Sequence, residues 1–286
     1  MAARKPIRGK KKTRRRLRRR LAMNDILGPH PVGDPFGAIL DASDGWTKTK
    51  VPHRALMEKE GARGDTVQAL REMLSRHHMS AEARARLAEQ AAALADLGVD
   101  PAEVGIRAFP QNSDTQKGNL AEVVLAEYLT SEDRLTLPVY RLRYNPNVDQ
   151  SMKGDDVLAF DLDCDPPRIV VGEAKFRSSS TTAVVKELVE SLVRSHHAGV
   201  PVSLQFVAER LFESGEQELG TRVFNCARLF ALGQLRLDYV GLLVSDVHAA
   251  KRIDAGTENS LRRLVVLSLS LEEQLQLVED CYEGLE

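Results

Sequence analysis

Read for the spacing of its apolar positions, the chain changes character several times. From Asn24 to about Lys50 no period lasts, and Gly28-Pro29-His30-Pro31 and Gly33-Asp34-Pro35 punctuate the run, which predicts an irregular, surface-wrapping segment. Val67, Leu70, Met73 and Leu74 then fall at helical spacing and predict a helix over about 65–79. Ser80 is a candidate N-cap for a second, Ala-rich helix that reaches Leu97 ahead of Gly98. Together the two make an N-terminal helical accessory region. His77-His78 between them reads as a solvated helix end, because adjacent residues diverge on a helix and make a poor metal pair.

Beyond about residue 106 the periods predict a helix over 117–129, strands near 137–144, 154–162 and 168–176, a helix over 181–197 and a strand at 202–207. That order is α-β-β-β-α-β. A helix near 217–232, strands at 239–244 and 264–269 and a terminal helix from Leu271 complete the pattern. The fold class that follows is α/β, a mixed sheet flanked by helices. Three regions result: a tail over 1–24, the irregular and helical region over 25–105, and an α/β domain over 106–286.

Asp163-Cys164-Asp165-Pro166-Pro167 separates two apolar runs with turn-formers, so the simplest connection is an antiparallel hairpin. A turn centred between Cys164 and Asp165 sets Phe160 opposite Ile169, Leu158 opposite Val171 and Asp156 opposite Glu173. Side chains two apart on a strand share a face, so Glu173 and Lys175 join Asp156 on one side of the hairpin. Asp155 has the opposite parity. A one-residue slip would exchange the two aspartates. Two carboxylates and a lysine so placed suit a divalent cation, Mg²⁺ or Mn²⁺, that activates water against a phosphodiester. The competing reading is an ordinary ion pair on an edge strand. Ser178-Ser179-Ser180-Thr181-Thr182 reads as the cap of the following helix ahead of the alternative, hydroxyls and amides offered to a phosphate.

Asp156-Val157-Leu158-Ala159 with Glu173-Ala174-Lys175 resembles the signature of the PD-(D/E)xK nuclease superfamily, the restriction-endonuclease-like fold with an αβββαβ core. Asp155 stands where the superfamily's proline would be. Lys117-Gly118-Asn119-Leu120-Ala121-Glu122, then Lys153-Gly154-Asp155-Asp156, then Gly172-Glu173-Ala174-Lys175-Phe176 resembles more closely the HamA family of the Hachiman anti-phage defence system, over roughly 117–206. The resemblance implies a metal-dependent deoxyribonuclease with Asp156, Glu173, Lys175 and Glu122 as catalytic residues. It implies Asp156, Glu173 and Glu122 as metal-binding carboxylates, and a superfamily 2 helicase, HamB-like, as partner. Lys117, Lys153, Arg177 and Lys186 flank these positions as candidate DNA contacts. A catalytically silent DNA- or helicase-binding module, and a stand-alone resolvase or restriction-type endonuclease, remain as alternatives.

Charge sharpens the partner question. The chain holds 40 Lys and Arg against 41 Asp and Glu, yet residues 1–24 carry 12 of the basic residues and no acid, leaving 28 basic against 41 acidic in the rest. An acidic body is poorly suited to gripping DNA by bulk charge. Three readings of the tail compete: a nucleic-acid-binding arm, a segment ahead of a start at Met23, and a targeting peptide, which lacks an apolar core. Three scattered cysteines give neither a disulfide framework nor a zinc site, which points to a reducing cytoplasm. No apolar run approaches the roughly 20 residues of a membrane-spanning helix.

Overall fold

In the computed structural model, residues 23–33, 35–104, 107–132 and 134–285 are described. The basic run through Arg20 lies outside them. A short helix α1 (Phe36–Ile39) leads into strands β1 (Leu40–Trp46) and β2 (Pro52–Glu58), followed by helices α2 (Arg63–His78), α3 (Ala81–Asp96) and α4 (Ser113–Thr130). The hairpin β3 (Val157–Asp161) and β4 (Arg168–Phe176) comes next. Helices α5 (Thr182–His197), α6 (Leu204–Glu213) and α7 (Gln217–Ala231) precede β5 (Arg236–Ser245), and α8 (Ala249–Gly256), β6 (Leu264–Ser270) and α9 (Gln274–Tyr282) follow.

The strands form one mixed sheet in the order β1-β2-β6-β5-β4-β3. Its four inner strands run parallel, and an antiparallel partner closes each edge. Inner strands covered on both faces cannot alternate apolar with polar, and β6 is accordingly buried at every position. One face, with Val170, Leu242 and Leu267, packs on α2, α4 and α9. The other, with Val171, Leu243 and Val266, packs on α5 to α8. The α/β class with a helix-flanked mixed sheet is therefore observed.

Three expectations fail for identifiable reasons. Residues 137–144 form no strand: a single bridge joins Thr136 to Phe160, and Arg141–Tyr144 is a 3-10 turn. Pro138 lacks the N–H that a longer ladder needs. Residues 202–207 pass from a turn at 202–203 into helix α6, whose buried Leu204, Val207, Ala208 and Leu211 sit at i, i+3, i+4 and i+7. The alternation seen over six residues was the start of a longer helical period. The stretch expected to be irregular up to Lys50 contains β1, whose register runs from Leu40 opposite Glu58 to Trp46 opposite Pro52. Six of its seven residues are exposed, so backbone pairing rather than an apolar face holds it, and no hydrophobic pattern announces it.

His77 and His78 are also not a solvated end. Both are buried where α2 meets α4, and His77 Nε2 lies 2.7 Å from Glu127 Oε1. Burial holds both imidazoles below their ordinary range.

Candidate active site

The β3–β4 register sets Val157 opposite Gly172, Leu158 opposite Val171 and Phe160 opposite Ile169, the pairing the turn residues predict. Asp156, one residue before β3, reaches over β4 and accepts the backbone N–H of Ala174 at 2.9 Å. Its carboxylate thus lies beside Glu173 and Lys175. Asp155 points away: its carboxylate accepts the Ser195 hydroxyl at 2.9 Å and the Ser203 N–H at 3.0 Å, tying the loop to α5 and α6. Gly154, at φ 118°, makes that turn possible, because a Cβ there would stand 2.5 Å from Ser203 Oγ.

Helix α4 brings the third carboxylate. Asn112 caps it by accepting the N–H groups of Asp114 and Thr115 at 3.0 and 3.1 Å. Its run from Leu120 to Ala126 is buried throughout. Gly172 allows the close approach, since a Cβ there would meet Leu125 Cδ2 and Val157 Cβ at 2.9 Å. Glu122 consequently faces the end of β4, whereas Glu127, the other glutamate of this helix, turns to Arg76 and His77.

Glu122, Asp156, Glu173 and Lys175 line one groove of about 770 Å³, with Lys117, Lys153 and Arg177 also on its wall. Lys186 is not there; it lies 3.8 Å from Glu258. Lys117 is paired with Asp114 at 3.2 Å, and Arg177 with Glu187 at 3.3 Å, so each would exchange an existing partner for a phosphate. Thr181 caps α5 through Val184 N–H, as the serine- and threonine-rich stretch predicts.

On the sheltered floor of the groove, three carboxyls, those of Glu122, Asp156 and Glu173, meet two cations, Lys175 and Arg141. Burial, reinforced by the charges of Asp156 and Glu173 and opposed by Arg141, pushes the Glu122 carboxyl up to about 8. Asp156 is raised by burial against the Ala174 amide, Arg141 and Lys175. Glu173 is raised by burial and by Asp156, against Lys175 and the Ser191 hydroxyl. Lys175 is the counterpart: burial lowers it, but its 2.7 Å contact with Glu173 and the charges of Asp156 and Glu187 prevail, so its ammonium is held above its ordinary range. Carboxylates that resist ionisation next to one another are a donor set for a hard cation. Among the described residues no three His, Cys, Asp or Glu side chains are gathered to hold an ion by themselves. Two carboxylates completed by water is the pattern that suits Mg²⁺.

A groove residue that the sequence does not flag is Arg141. Its Nε lies 2.9 Å from Glu122 Oε1, and its guanidinium donates to the carbonyls of Met152, at 3.0 Å, and Asp155. It sits in the segment read as a strand, where nothing in the spacing of Arg141-Leu142-Arg143-Tyr144 singles it out.

A family model described as HamA matches residues 40–285. The chain belongs to the HamA family. A relative in Bacillus cereus, the Hachiman protein HamA, is 30% identical over 267 residues, which cover 92% of this chain and 95% of that protein. The family match begins at Leu40, the first residue of β1, and so takes in the edge hairpin together with every residue of the groove.

Proposed function

We infer that this HamA-family chain is a nuclease that hydrolyses DNA with Mg²⁺ or Mn²⁺ and serves in anti-phage defence beside a superfamily 2 helicase. The observation that carries it is the convergence of Asp156, Glu173, Glu122 and Lys175 on one groove bordered by Lys117, Lys153 and Arg177. The defence role is supported by the Hachiman relative, and the chemistry by the likeness to PD-(D/E)xK nucleases at Asp156, Glu173 and Lys175.

Asp156 and Glu173 would hold the cation, and Glu122, committed to Arg141, would act on it through water. The bound cation supplies an acidified water and offsets charge on the phosphate. Lys175, kept protonated by its acidic neighbours, is placed to neutralise the scissile phosphate and orient the attacking water rather than to remove its proton. Lys117, Lys153 and Arg177, on the groove wall, would border the path of the strand and let an acidic body grip DNA locally.

The test is the Glu173→Ala/Lys175→Ala double variant. Mg²⁺-dependent cleavage of duplex and single-stranded DNA, with the helicase present, should fall at least about a thousandfold with the melting profile retained. Phage protection should go with it. Full cleavage and protection by that variant sink the enzymatic reading. DNA binding without cleavage by the wild-type chain would favour a silent module.

A further inference from the structure

We propose that Arg141 is the positioning residue of this site. It locks the loop that presents Asp156 to the helix that carries Glu122, and so sets the distance between the carboxylates before any cation arrives. This rests on the metal-dependent reading above.

Two guanidinium nitrogens donate hydrogen bonds, and the third, Nε, meets a carboxylate as an ion pair without hydrogen-bonding geometry. Nε faces Glu122 Oε1 at 2.9 Å, Nη2 donates to Met152 O at 3.0 Å, and Nη1 donates to Asp155 O. Those two carbonyls bracket Lys153 and Gly154, the turn at positive φ from which Asp156 emerges. The side chain is 13% exposed and that of Glu122 9%, so the contact is sheltered from water. Without it, the loop keeps its anchor on the Asp155 side, through Ser195 and Ser203, and loses its attachment to α4. A planar, rigid fork can donate to both carbonyls while its charge stays against the carboxylate, whereas an ammonium on a flexible stem cannot hold that geometry.

Two roles for a cation here predict opposite signs. If Arg141 were only a nearby positive charge, removing it would strengthen binding of a divalent ion, because Asp156 and Glu122 both feel its field. If it positions the carboxylates, removing it weakens binding despite that electrostatic gain. Groups that orient a ligand from behind it typically change metal affinity by roughly ten- to a hundredfold.

The experiment is calorimetric titration of Mn²⁺ into the full chain, wild type and Arg141→Ala, with urea unfolding of each in chelator. Mn²⁺ affinity of Arg141→Ala should fall by roughly ten- to a hundredfold. Arg141→Lys, which keeps the charge but not the fork, should also bind more weakly than wild type. If Arg141→Ala does not fold, Arg141→Lys and Arg141→Gln carry the same comparison. Equal or tighter Mn²⁺ binding by the folded variants overturns the positioning role while leaving the nuclease reading intact. A wild-type chain that binds no Mn²⁺ defeats that reading itself, and the role of Arg141 with it.

Discussion

Strand β4 has a cluster of ionisable side chains at each end, one carboxylate among arginines at the start and three sheltered carboxyls with two sheltered cations at the finish. At its start, Asp238 is fully buried among arginines: Arg168 Nε at 3.5 Å, Arg236 Nε at 3.6 Å and Arg263 in direct hydrogen-bonding contact. At its finish, Asp156, Glu173 and Glu122 share the groove with Lys175 and Arg141. The first end has spare cation, and Arg168 disposes of some of it by donating to Ile26 O at 3.0 Å. The second end has spare acid, and its carboxyls are raised toward protonation. The difference separates a carboxylate already paired with three arginines of its own chain from carboxyls that a cation from solvent would complete. It also falls where the parallel strands dictate, since open α/β sheets place ligands beyond the carboxyl ends of their strands.

The largest effect expected from breaking this contrast is at the arginine-rich end. Asp238→Ala leaves three arginines around a buried site without their shared carboxylate, and uncompensated buried charge costs about 3–5 kcal/mol. Urea unfolding should show that loss, and Mn²⁺ should not recover it. A change below about 1 kcal/mol would mean that Asp238 is no anchor.

At the acid-rich end the contrast should appear as a pH dependence. Glu122 is pushed up to about 8 in the fold from an ordinary 4.5. Between those values the unfolded chain has released the proton and the folded chain keeps it, so stability falls as pH rises. Below about 6.5 the buried histidines oppose this, because His53, His77 and His78 are lowered by burial and must charge as the chain unfolds. The clean window is therefore pH 6.5 to 8. In chelator the chain should lose about 2 kcal/mol across it, Mn²⁺ should restore the loss, and Glu122→Gln should remove most of the slope. A flat wild-type profile would place Glu122 outside the acid cluster energetically.

How much of this was legible in the sequence depends on how local the signal is. The β3–β4 register was readable because turn-formers bound it on one side and alternation fixed its parity, and the structure pairs Leu158 with Val171 accordingly. The α4 acid was readable from its place ahead of the strands, while its choice over Glu127 rests on which neighbour each meets, a tertiary fact. Strand β1 was invisible, being an exposed edge with no apolar face. Arg141 was invisible too, because its three partners come from α4 and from residues 11 and 14 positions along the chain.

The smallest and sharpest probe compares two neighbours in sequence. Asp155 and Asp156 are adjacent, alike, and point to opposite sides: one accepts Ser195 and Ser203, the other lies over Ala174 beside Lys175. Asp155→Asn turns an amide donor toward groups that themselves donate, so it should cost about 1–2 kcal/mol in urea unfolding. Because its side chain meets Ser195 and Ser203 and only its backbone carbonyl meets the groove residue Arg141, cleavage at saturating Mg²⁺ should stay within about tenfold of wild type. Asp156→Asn should do the reverse. It removes the charge that would face a cation and relieves repulsion with Glu173, so cleavage falls steeply and metal-free stability holds or rises. If instead Asp155→Asn abolishes cleavage with the fold intact, the two aspartates have exchanged roles, and the alternation that places Glu173 and Lys175 beside Asp156 has been misread by one residue.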